Sequence, residues 1–162
     1  YKQDEWKWED HGVYLLYPEN GYIPEYLFGE NMINYKQRFQ IPYLGASADW
    51  AFGDFTLGGR LMWSPVVMAD DWDQHVARTL DFHETFDGGD LFGLGLEARY
   101  DFTAGFFKGS FLTAALDYQQ IDLMVGDMEV VDYSTGETGS DTDVAGIENS
   151  YVVFSLGGGV RF

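Results

Sequence analysis

The chain has 162 residues and no cysteine, and its 27 acidic against 9 basic side chains give a formal net charge of −18. That balance excludes nucleic acid as a partner and favours cationic ones, while the lack of thiols excludes disulfide staples and a cysteine nucleophile. There is no run of about 18 apolar residues, so a transmembrane helix is excluded, yet 18% of the residues are aromatic and 20 are glycine.

Tyr1 to Glu9 reads as the end of a strand, followed by a long polar connection from His11 to Gly29. Leu44, Ala46, Ala48 and Trp50 form a short apolar row of period two, which closes on the tight turn Gly53-Asp54. Phe55, Leu57, Leu61 and Trp63 then alternate with Thr56, Gly58, Arg60 and Met62. A second long polar connection spans Ala69 to Phe86. In the next strand Phe92, Leu94, Leu96, Ala98, Tyr100 and Phe102 make one face, and Gly93, Gly95, Glu97, Arg99 and Asp101 the other. Thr103-Ala104-Gly105 is a tight turn, Leu112, Ala114, Leu116 and Tyr118 a further row, and Val125 to Gly146 a third polar connection. Val152, Phe154, Leu156, Val160 and Phe162 line the last strand. The reading is all-β, with five full strands and part of a sixth.

Short turns on one rim, long connections on the other and a charged row opposite an apolar one describe an antiparallel transmembrane β-barrel of the bacterial outer membrane. Gly157, Val160 and terminal Phe162 form a pattern similar to the assembly signal on final strands of such proteins. Five or six strands are fewer than the eight or so needed to close a bacterial barrel, and no signal peptide or initiator Met is present. Residues 1–162 are therefore expected to be the C-terminal portion of a single, longer barrel domain.

Asp71, Asp73 and His75 stand at alternate positions, where an extended backbone points all three the same way. A carboxylate beside an imidazole fixes its tautomer and leaves the other ring nitrogen free to take a proton from water. The face is a difficulty. If the strand from Phe55 ran unbroken, these odd positions would face lipid, where charges are costly. Pro65 is the expected break or bulge that shifts the parity. His11 and His83 read as surface residues without the spacing of a metal site, and no metal is expected. The three glycines from Gly157 do not open a helix, and there is no serine-centred nucleophile elbow.

Several segments together resemble the omptin family of outer-membrane proteases. Tyr35-Lys36-Gln37-Arg38-Phe39 with Ile41-Pro42-Tyr43-Leu44-Gly45 is similar to the family's central strand, and Asp54-Phe55-Thr56-Leu57-Gly58-Gly59 to the start of the next. Asp71-Trp72-Asp73-Gln74-His75 resembles the catalytic loop, and Ala145-Gly146-Ile147-Glu148-Asn149 the opening of the last strand. Order and spacing hold along the whole chain.

The resemblance implies a ten-stranded barrel whose protease groove lies at the extracellular rim, this chain supplying about its second half. It implies that His75 is the general base acting on water and that Asp73 orients it, with no acyl-enzyme. It places Asp71 at the floor of a pocket for a basic residue, so that the substrate is a cationic polypeptide containing Arg or Lys. Arg38 matches an arginine that meets lipopolysaccharide phosphate, the family's activating lipid; Gln3 and Glu5 stand where the preceding strand carries further lipid-binding residues, Glu5 in place of an arginine. Two carboxylates from a loop outside this sequence complete the family's site, so the chain alone is expected to be inactive. The expected protein is a monomer without a cofactor. The alternative is a catalytically silent outer-membrane barrel acting as an adhesin or structural protein.

Overall fold

The computed structural model describes residues 1–11, 14–15, 21, 25–26 and 29–161. Phe162 of the C-terminal pattern and most of the connection after His11 lie outside them. The strands are β1 (Lys2–Asp10), β2 (Tyr14–Leu15), β3 (Glu25–Tyr26), β4 (Ile33–Ile41), β5 (Leu44–Phe52), β6 (Phe55–His75), β7 (Leu80–Asp101), β8 (Ser110–Asp132) and β9 (Thr138–Val160). One antiparallel sheet runs β1-β4-β6-β7-β8-β9 with β5 also paired to β6, while β2 and β3 pair with each other. β4 and β5 are two halves of one long strand interrupted at Pro42-Tyr43: β4 pairs the upper part of β6 and β5 the lower. Five long strands and a shorter sixth thus form a half-barrel, as the period of two predicts.

Two of the three expected long loops are sheet. Residues 69–86 continue β6 to His75, turn through a single 3-10 turn at Val76–Arg78, and return as β7 from Leu80. Residues 125–146 likewise extend β8 to Asp132 and begin β9 at Thr138. The strand ladder therefore rises well above the apolar band, and backbone pairing there continues through sequence whose side chains are largely polar.

Outward residues below this extension are apolar and exposed, including Trp50, Leu61, Trp63, Phe92, Leu96, Leu112 and Phe154, with Leu156 at 74%. On β9 the outward row runs from Val152 to Val160. Roughly nine residues at about 3.3 Å each cover about 30 Å of strand, or a little over 20 Å at a tilt near 40°, which matches the apolar band of an outer-membrane barrel. The inward row of this half is polar: the Arg60 guanidinium donates to Asp117, and Arg99 to Asp101 at 2.7 Å and 2.9 Å. Gly95 lets Arg60 lie flat across β7 on its way to β8, since a Cβ there would fall 2.3 Å from Arg60 Nε.

Between the two halves runs a belt of irregularities. On β6, Ser64 pairs Leu91 but Val67 pairs Gly89, leaving Pro65 and Val66 as an outward bulge. Pro65 has no N–H for the ladder, and the Val66 N–H turns to Ser64 Oγ at 3.3 Å. That fully buried hydroxyl shares its one proton between the carbonyls of Pro42 at 2.6 Å and Val66 at 2.7 Å, tying the β4–β5 interruption to the bulge. β7 compensates at Gly88, whose φ of +91 is open to glycine, and β8 shifts between Ile121 and Met124. The inward face changes accordingly, from even to odd positions on β6 and from odd to even on β7 and β8. The expected parity shift at Pro65 is therefore present, as one part of a feature that crosses the sheet.

At this level the concave side is dry. Phe39, Ile41, Val67, Ala69, Phe86, Leu91, Ile121, Met124, Ala145 and Ile147 form the buried core. Each large member contributes about 1.5–3 kcal/mol by leaving water. Glycines across from the bulky ones make the fit possible: a Cβ on Gly126 would fall 2.2 Å from the Thr85 carbonyl oxygen and 2.5 Å from the Phe86 ring.

Gly126→Ala is accordingly expected to destabilise the barrel by about 1–3 kcal/mol, the cost of overpacking, read as a lower midpoint in urea unfolding from lipid vesicles. Deleting Val66 removes the parity shift and sends residues 67–75 to the opposite face. It is expected to abolish assembly, seen as loss of the protease-resistant membrane form; a normally assembled deletion variant would refute this account of the bulge.

Candidate functional site

Above the belt the odd positions of β6 face the concave side, and they carry Asp71, Asp73 and His75 in sequence. His75 Nε2 lies 3.0 Å from Asp73 Oδ2. With the proton of the ring held on that side, Nδ1 presents a lone pair. Phe82, paired opposite Asp73, meets the imidazole edge-on with centroids 5.3 Å apart, which limits rotation of the ring. Both side chains keep partial access to water, at 26% for His75 and 30% for Asp73.

Asp71 is different. It stands one step above Ala69 and Phe86, the upper members of the dry layer, and is only 3% exposed. Burial is the main reason its carboxyl is held above the usual carboxylate range; the Tyr35 hydrogen bond opposes this and Asp73 adds to it. The Tyr35 hydroxyl donates to Oδ2 and in turn accepts from Gln37 Nε2 at 2.6 Å. Burial and the neighbouring carboxylate push the Tyr35 phenol upward, so it stays a donor at neutral pH. Oδ1 is buried and has no hydrogen-bond partner among the described residues. An unpaired carboxylate oxygen at the bottom of a cleft is an acceptor waiting for a cation.

Glu84 faces Asp71 directly across the β6–β7 ladder, on the same concave side. Burial, then Asp71 and Asp73, raise its pKa. Carboxyls raised in the fold bind protons more readily folded than unfolded, so the stability they contribute in acid is lost as pH rises and they ionise. The cleft is therefore built against the stability of the sheet that carries it.

Arg38 lies on the opposite, outward face of β4. Its guanidinium reaches Glu5 at 3.4 Å, and Lys7 and Lys36 reach the same carboxylate at 3.1 Å and 3.5 Å. The Lys7 hydrogen bond, with help from Lys36 and Arg38, holds Glu5 below the usual carboxylate range. Lys36 and Arg38 also sit over the Trp72 ring, 4.9 Å and 5.4 Å from its centroid. Trp72 stacks on its other flank against His83 at 5.1 Å. His83, read as a surface residue, is thus half-buried in an aromatic stack, whereas His11 is exposed beside Glu9.

The structure brings Asp71, Asp73 and His75 together and leaves Arg38 on the other surface. Sequence reasoning did not single out Tyr35, Gln37 and Glu84 as members of the cleft. The only signal for the first two is their spacing of two on a strand, since the register that delivers them to Asp71 is a property of the pairing.

The Omptin family model matches residues 1–162. The plasminogen activator of Yersinia pestis is 29% identical over 163 residues, covering 100% of this chain and 51% of the relative. Protease 7 of Escherichia coli strain K12 is 25% identical over 154 residues, 90% of this chain and 46% of the relative. The chain thus spans about half the length of the curated relatives it matches. The crystal structure of the outer membrane protease OmpT from Escherichia coli has the same fold, with a TM-score of 0.76 at 22% identity over 99% of this chain and 55% of that one. Matched by the family model from end to end and folded as half of such a barrel, the chain belongs to the Omptin family and to the bacterial outer membrane.

Proposed function

We propose that the complete protein is an endopeptidase that cleaves cationic polypeptides beside basic residues, with its site facing outside the cell. The observation that carries this reading is the juxtaposition of a hydrogen-bonded His75–Asp73 pair with the buried, unpaired oxygen of Asp71. The similarity to named outer-membrane proteases supports it.

In the proposed reaction, water approaches the scissile carbonyl carbon while His75 Nδ1 takes one of its protons. The imidazolium that results is stabilised by Asp73, and the proton is then delivered to the departing amine nitrogen. Such acid–base assistance is worth about 10²–10⁴-fold in rate. Asp71 Oδ1 would bind the guanidinium or ammonium of the basic residue, and a neutral side chain would leave the acid unpaired, which is the basis of discrimination. Further carboxylates from outside this chain would help to hold the water, so the 162-residue chain alone is expected to be inactive. On the outward face Arg38 would offer its guanidinium to lipopolysaccharide phosphate. Glu5 already holds that cation, so lipid phosphate has to compete with a carboxylate for it.

His75→Ala in the complete protein is expected to lower kcat by at least about 10²-fold with little change in KM, measured on an internally quenched Arg-containing peptide. Unchanged cleavage would refute His75 as the base, and no cleavage by the parent protein would favour the silent-barrel alternative. Asp71→Asn is expected to weaken cleavage at Arg and Lys sites most; an even loss across all peptides would count against the pocket. Because burial raises Asp71, the preference for basic residues should fade on acidification at a higher pH than an ordinary carboxylate would dictate. A preference that persists until an ordinary carboxylate titrates would contradict the buried placement.

A further inference from the structure

Glu84 has no role in the reading above, yet its position is unusual. It and Asp71 are direct cross-strand partners on the concave face of β6 and β7. Side chains so placed have Cβ atoms about 4.5–5.5 Å apart, and like charges there destabilise a sheet. Asp71 is 3% exposed, and the dry layer beneath it prevents water from screening the pair from below. Asp73 stands on the same side with Oδ2 engaged by His75, while its Oδ1 is also buried without a partner among the described residues. The chain Gln37 to Tyr35 to Asp71 occupies Oδ2 and fixes the carboxylate, leaving Oδ1 buried and bare. Two carboxylates thus converge on one space, and one of them ends in a buried acceptor to which none of the described residues donates.

We infer that Glu84 is the second carboxylate of the cation pocket, so that a guanidinium is held between Asp71 Oδ1 and Glu84 and arginine is preferred over lysine. This rests on the protease reading for its substrate, but not for its chemistry. A guanidinium is planar and carries five N–H donors in a fixed fork, so it can donate to two separate carboxylates at once. An ammonium is a compact point charge that gains less from the second acid. One cation between two acids also relieves the like-charge opposition that the empty cleft carries. Glu84 here is a specificity-determining residue; it does not touch the reacting atoms.

The test compares three internally quenched peptides that differ only at the residue before the cut: arginine, lysine, and citrulline, the neutral near-isostere of arginine. In the complete protein, Glu84→Gln is expected to lower kcat/KM for the arginine peptide by about ten-fold or more, chiefly through KM. The loss should be smaller for lysine and absent for citrulline, so the Arg/Lys ratio collapses toward one. Glu84→Asp, which keeps the charge with a shorter reach, should fall between; it also serves if the Gln variant does not assemble. An equal loss on all three peptides, or no loss on arginine, overturns the inference. Calorimetric binding of an arginine peptide with a reduced, uncleavable bond separates the two readings. Tight binding by a protein that cleaves nothing removes the protease but leaves the pocket to be judged by the affinity of Glu84→Gln. Binding unaffected by Glu84→Gln removes the pocket role while leaving proteolysis standing.

Discussion

A strand that must show hydrocarbon on one face and then, higher up, turn chemistry inward has to change which of its residues face in. Period-two alternation is rigid: without an irregularity, residues 67–75 of β6 would stand on the side that Leu57, Leu61 and Trp63 define as outward. The belt at Pro65-Val66, Gly88 and Ile121–Met124 makes this change in three strands at one level. The rest of the molecule depends on it. Below, the apolar row meets lipid and the polar row lines the lumen; above, the same strands present Asp71, Asp73, His75 and Glu84 to the cleft. Ser64 is the small residue that holds the belt together, because one buried hydroxyl satisfies backbone groups that the bulge and the β4–β5 interruption both leave without a ladder partner.

The dry layer at the belt sets the electrostatics above it. Phe86 and Ala69 deny water to Asp71 from below, and this is why the carboxyl resists ionisation and why a cation would be worth more there than on an open surface. Asp73 and His75, one and two steps higher, keep partial access to water. In the proposed reaction this gradient of wetness along a few residues of one strand would separate a site for holding charge from a site for moving protons. The outward surface at the same height works by the opposite rule: Glu5, Lys7, Lys36 and Arg38 are partly solvated and pair among themselves.

Much of this was readable from sequence, for identifiable reasons. The alternation of Phe92 to Phe102 against Gly93 to Asp101 states both the strand and the inverted plan, because lipid demands it in every pair of residues. The spacing of Asp71, Asp73 and His75 states their common face, and Pro65 the break, since no other residue of β6 lacks the N–H. The hairpins above the membrane were not readable. Residues such as Asp81, Asp127, Asp132 and Asp141 have poor strand propensity and read as loop, yet the ladder carries them because each strand is already aligned by its membrane-spanning half. Tyr35, Gln37 and Glu84 were missed for a related reason: their partnership with Asp71 is set by register between strands, which no local window of sequence contains.

The glycines of the concave face carry one more implication. Gly126 exists where it does because the Thr85 carbonyl and the Phe86 ring fill its space, Gly89 because of Met124, and Gly95 because of Arg60. Such positions do not evolve one at a time. A lineage that placed a side chain at 89 would first have to shrink the residue at 124, and either change alone leaves a clash or a void. Among descendants of this chain, variation at these paired positions should be found together or not at all.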